Sequence, residues 1–142
     1  EHRGIGLHNL LWILRTFPNH FKNFIFVSVG IVDVESFSAK KELTTMQENT
    51  NEMLDYFVNY CQQQGLAAKG FAAYGTDPTE KLTRLSKKII KEFPHSLFFA
   101  SKLIFSKDNW ITRLLHNETA VMLQRRLHLL GVQLVILPMK ID

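Results

Sequence analysis

The sequence predicts an α/β fold, a three-layer αβα sandwich around a mostly parallel, doubly wound sheet, and three observations lead there. Phe21 to Val34, FKNFIFVSVGIVDV, is dominated by β-branched and aromatic residues, and at Phe24-Ile25-Phe26-Val27 it does not alternate with polar ones. That is the pattern of a parallel strand covered by helices on both faces. Helix-like and strand-like stretches then alternate to the end of the chain, the order that right-handed crossovers lay down as a parallel sheet. Finally, 142 residues suit one domain, a size that buries roughly two-thirds of the unfolded surface. Residues 1–142 are therefore expected to form a single α/β domain.

The elements follow in order. His2 to Gly6, HRGIG, opens a helix whose Leu7, Leu10, Leu11 and Leu14 recur on one face, and Pro18 ends it. A loop over Pro18 to His20 leads into the apolar strand. Ser36 and Ser38 are cap candidates for a long helix with Leu43, Met46, Met53, Leu54, Phe57 and Cys61 on its apolar side and Gly65 as its stop. Leu66 to Gly75, LAAKGFAAYG, is read as a strand from its context, since Ala and Gly have little strand preference. Small residues there allow close approach of a helix or of a partner's backbone.

Thr76-Asp77-Pro78-Thr79-Glu80 is a helix start, with Asp77 as N-cap, Pro78 at the first position and Glu80 completing a capping box. Leu82, Leu85, Ile89 and Phe93 form the buried stripe, and Pro94 closes the helix. His95 to Phe105 is the next strand. Asp108 can cap a last helix from about Trp110 to Leu130, which Gly131 ends, and Val132 to Leu137 is a short strand that Pro138 is expected to interrupt, consistent with a sheet edge or strand end. There is no internal sequence repeat and no low-complexity linker.

A Gly-rich turn entering a helix normally follows a strand, and none precedes Gly4 here, which suggests a piece cut from a longer polypeptide. With an upstream strand counted first, a doubly wound order of 3-2-1-4-5 would place it in the middle. Without it, its neighbours are expected to pair with each other or to borrow a strand from another chain.

Lys and Arg number 17 against 13 Asp and Glu, a net charge of +4, and the calculated pI is about 9.3. The cations, among them Lys40, Lys41, Lys87, Lys88, Lys91, Arg125 and Arg126, are interspersed with acids and apolar residues, so they read as solvated helix faces and no nucleic-acid partner is expected. Weak contact with an anionic membrane surface is compatible with the charge. No run reaches the ~18 apolar residues of a membrane span, and the amino terminus lacks the layout of a signal peptide. The single cysteine, Cys61, excludes an internal disulfide and reads as a small buried hydrophobe.

Ligands of open parallel sheets sit at the carboxyl ends of the strands. Gly4 and Gly6, with His8 beyond them, resemble the start of a phosphate-cradling turn, but Asn9 stands where the dinucleotide fingerprint needs a further glycine. A plain tight turn is the simpler reading. Asp33 could reach a ribose or a metal, although an aspartate after a strand more often bonds its own backbone, and Thr76 joins Gly75 and Asp77 at the end of the next strand. Gly4, Gly6, Asp33 and Thr76 are thus the candidate ligand-binding residues.

The histidines, at positions 2, 8, 20, 95, 116 and 128, show no metal-ligand spacing, and neither a G-x-S-x-G elbow nor a G-x-x-x-x-G-K phosphate loop is present. No metal, cofactor or enzymatic activity is expected. His116 to Thr119 with Gln124, Arg125 and Arg126 interrupt the apolar last helix, either as a solvent-facing stripe or as a docking face.

Three blocks, RGIGLHNLLWILRTFPNHFKNFIFVSVGIVDVESF, KEFPHSLFFASKLIF and WITRLLHNETAVMLQRRLHLLGVQLVILPMKI, resemble the soluble carboxy-terminal domain of bacterial permeases of the amino acid-polyamine-organocation superfamily. The resemblance covers nearly the whole chain. It implies a domain on the cytoplasmic face of the membrane, similar in architecture to universal stress proteins and to the cytosolic domains of cation-chloride cotransporters. A regulatory or assembly role follows from it, with copies of itself and the parent's transmembrane domain as partners. Universal stress proteins that bind nucleotide carry a G-x-x-G-x(9)-G-[ST] stretch before the last strand. Arg113 to Gly131 offers one glycine, so no tightly bound ATP is expected. The alternative function is a nucleotide- or anion-binding sensor of universal-stress-protein type.

Overall fold

In the computed structural model, residues 2–31, 39–105 and 110–141 are described. The elements are α1 (His2–Thr16), β1 (Asn23–Ile31), α2 (Ala39–Gln63), β2 (Ala67–Gly75), α3 (Pro78–Glu92), β3 (Phe98–Phe105), α4 (Trp110–Leu129) and β4 (Leu134–Ile141). The fold is α/β with parallel strands, β1 pairing with β2 and β3 with β4. The chain divides into two compact units, Leu11–Leu85 on one hand and Glu1–Leu10 with Ser86–Asp142 on the other, the divisions falling inside α1 and α3. Each unit holds one βαβ motif.

In Leu11–Leu85 the register runs from Asn23↔Ala67 to Ile31↔Gly75. Phe26 stacks on Phe57 of α2 with ring centroids 5.2 Å apart. Gly30 faces Met46, and a Cβ on Gly70 would lie 3.1 Å from the Leu54 Cβ. All three are even-numbered, and strand side chains alternate between faces, so one face of the pair lies against α2. The small residues that made β2 weak as a strand signal are what admit α2 so closely. β1 is less enclosed than a strand covered on both faces: Phe24 is buried, but residues 25–30 are half-buried. Within this unit α2 is the helix that packs on the pair, and it covers one face.

The two long helices stop in the same way. Gly65 and Gly131 have φ of +76° and +75°, a conformation open to glycine at no steric cost. After α2, Leu66 N–H donates to the Cys61 carbonyl at 2.9 Å and Gly65 N–H to that of Gln62 at 3.0 Å. After α4, Val132 N–H donates to Leu127 at 2.9 Å and Gly131 N–H to His128 at 3.0 Å. Both are Schellman ends, which satisfy carbonyls that the helix leaves without partners. Cys61 and Leu127 occupy the same position in this motif, and both are 0% exposed.

In the second unit the register runs from Phe98↔Leu134 to Phe105↔Ile141, and α4 packs on both strands. Leu123, Leu127, Leu134 and Leu137 are buried. Contrary to expectation, β4 continues through Pro138, which lies opposite Lys102. A two-stranded sheet leaves one edge of each strand unpaired, and a residue without N–H is tolerated where that N–H would face away from the ladder.

Asp77 caps α3, its Oδ1 accepting from Glu80 N–H at 3.2 Å. The reciprocal half of the anticipated capping box is replaced by an ion pair, Glu80 to Arg84 at 2.7 Å. At the end of α1, Phe17 N–H closes the last turn on the Ile13 carbonyl at 2.9 Å, and His20 N–H donates to Phe17 at 3.2 Å. Pro18 and a positive-φ Asn19 (φ 60°) lie between, the residue pattern of a type II turn. Ser36, Ser38 and Asp108, expected as caps, lie outside the described residues. No described helix is long and apolar enough to cross a membrane.

Candidate functional site

β1 and β2 end side by side, with Ile31 opposite Gly75, and the chain leaves β2 through Thr76 and Asp77 into α3. Lys81, four residues after the cap, lies across this end: a Cβ on Gly75 would come within 2.6 Å of the Lys81 Cε. Glycine there lets the lysine stem cover the strand. Beside it, the ring of Tyr74 borders Gly30, and the Tyr74 hydroxyl is buried with no hydrogen-bond partner among the described residues. A buried polar group left so costs about 1–3 kcal/mol.

This strand end offers an exposed Thr76 hydroxyl, the first turn of α3 and a lysine, a set that suits weak anion contact. Among the described residues it offers no further reactive group. The Asp77 carboxylate is engaged in the cap, and no group of three His, Cys, Asp or Glu among the described residues could hold a metal. Cys61 supplies no nucleophile, because burial pushes its thiol up to about 11.

Thr76 is the one candidate that the structure places at this strand end. Gly4 and Gly6 lie within α1, not on a turn ahead of it, and neither has a positive φ. Gly4 is exposed, and a Cβ there would meet nothing within 4 Å, so no close approach calls for glycine. These two glycines and His8 belong to the unit of Glu1–Leu10, Thr76 to that of Leu11–Leu85. Asp33 lies outside the described residues. Sequence reasoning passed over Lys81 and Tyr74; the signal for Lys81 was its place one helical turn beyond Asp77, after a strand ending in glycine.

The polar interruption of α4 resolves into two behaviours. Glu118 and Arg125 are exposed, whereas Gln124 turns inward and donates from Nε2 to the Leu134 carbonyl at 3.0 Å, tying the helix to β4.

No family model matches the chain, and neither a curated protein nor a solved structure matches it.

Proposed function

We propose that this chain is a regulatory or assembly domain on the cytoplasmic face of a membrane transporter of the amino acid permease or cation-chloride cotransporter type, acting through protein–protein contacts. In this reading the two βαβ motifs belong to a three-layer sandwich of universal-stress-protein type, and copies of the domain associate.

What supports it is the edge of β1. Asn23–Ile31 carries no charge and no proline, and β2 is its one strand partner among the described residues. Strand edges are usually guarded by charge or proline: β2 has Lys69, and β4 has Pro138 and Lys140. An unguarded edge is a template on which another chain adds a strand through main-chain hydrogen bonds. Docking of this kind regulates a carrier when the domain has different affinities for two of its states.

Sedimentation velocity tests the association. The chain is expected to dimerise with rising concentration, and Val27→Lys, which puts a charge into β1, is expected to return it to monomer. A chain monomeric at every concentration, together with a carrier whose transport and assembly survive removal of the domain, refutes the reading.

A further inference from the structure

The turn between α1 and β1 gathers four aromatic side chains outside the candidate site. Trp12 and Phe17 meet edge to face at 6.0 Å, Phe17 and Phe21 at 5.8 Å, and His20 and Phe21 at 4.8 Å. The turn itself builds the group, since its hydrogen bond draws Phe17 and His20 together, with rings 6.2 Å apart. Rings held in such contact are ordinarily buried. Here Trp12 is 40% and Phe17 37% exposed.

Along the chain, the charge beside the rings is of one sign. Arg15 and Lys22 flank them, both exposed and neither in an ion pair among the described residues. The sequence holds no Asp or Glu from His2 through Val32, whereas acids and bases are mixed through much of the remainder. An exposed indole and phenyl ring with unpaired cations beside them in the chain suit the boundary of an anionic bilayer, where Trp sits at headgroup level and Lys and Arg meet lipid phosphates.

We propose that Trp12, Phe17 and Phe21, with Arg15 and Lys22, form a contact site for an anionic lipid surface. The rings enter the headgroup layer and the two cations neutralise lipid charge. The site is peripheral: it adds apolar area and charge at one turn and does not span. It lies wholly within Leu11–Leu85 and does not depend on the transporter reading.

The test is partition of the full chain between buffer and vesicles, phosphatidylcholine alone against phosphatidylcholine with about a third phosphatidylserine. Trp110→Phe leaves Trp12 as the only indole, and its emission is expected to shift to shorter wavelength with phosphatidylserine vesicles alone. Replacing Arg15 or Lys22 with Gln is expected to weaken partition about fivefold, and replacing both roughly thirtyfold, with a similar weakening of wild type in high salt. Trp12→Ala is expected to weaken it about tenfold without loss of salt dependence. The glutamine variants alter exposed side chains only, and unchanged circular dichroism and melting show that they fold.

Several results would overturn the proposal: no partition, equal partition to neutral vesicles, or partition indifferent to Arg15 and Lys22. So would a Trp12 shift produced without lipid by self-association, or a stronger, equally variant-sensitive binding to nucleic acid.

Discussion

Set side by side, β1-α2-β2 and β3-α4-β4 share a parallel register and a helix stop, Gly65 in one and Gly131 in the other, but the strands beyond those glycines differ. β2 is made of Ala and Gly along much of its length, and Gly70 brings Leu54 of α2 nearly onto the backbone. β4 begins with Leu134-Val135-Ile136-Leu137, and α4 holds to it through buried leucines and the Gln124 bond to the Leu134 carbonyl. The side chain sealed at the joint follows suit: small Cys61 before the small-residue strand, larger Leu127 before the branched one. One backbone joint therefore serves two ways of filling a core. The first brings the helix to the sheet, and the second fills the space with side chains.

If the second motif depends on side-chain volume, Leu127→Ala should lower unfolding free energy by about 2–5 kcal/mol, while Cys61→Ala costs about 1 kcal/mol or less. Equal losses in urea titrations would erase the contrast. The converse test adds volume where the first motif has none: Gly70→Val should cost about 1–3 kcal/mol through the crowding of Leu54, and a stable variant would mean that α2 is free to move off. The shared joint predicts equality. Gly65→Ala and Gly131→Ala should each cost roughly 1–2 kcal/mol, because both force a Cβ into left-handed backbone, and a marked inequality would show that one stop is held by its surroundings.

The smallest effect concerns the thiol. Cys61 is held neutral by burial, its pKa raised from 9.0 to about 11. Below pH 9 folded and unfolded chains both keep the proton, and the thiol's contribution is complete. From pH 9 towards 11 the unfolded chain releases the proton first, so stability falls over that window. Urea midpoints should show an alkaline decline in wild type that Cys61→Ala reduces, and identical slopes would refute it. Native Cys61 should also resist thiol reagents until the chain unfolds.

Much of the local structure was legible. Asp77 and Pro78 start α3, the glycines at 65 and 131 stop α2 and α4, and the strand at residues 67–75 was recoverable from the elements around it. Gly4 and Gly6 fall inside α1 and not on a turn ahead of it, since a G-x-G pair has the same spelling in a phosphate turn and in the first turns of a helix. Pro138 misled because a proline forbids a strand only when its missing N–H points at a partner. Lys81 and Tyr74 became visible at the strand end once α3 and β1 had been placed beside them.

The chain by itself settles the cap that starts α3, the glycines that stop α2 and α4, that Cys61 lies inside, and that helices and strands alternate, because caps, left-handed glycines and apolar periods act over a few residues. Tertiary structure alone decides that the strands pair as β1 with β2 and β3 with β4, that β1 is covered by α2 on one face, and that Trp12, Phe17 and Phe21 share a surface. Those outcomes depend on what lies across a ladder or beyond a turn, and on burial that many distant residues supply together.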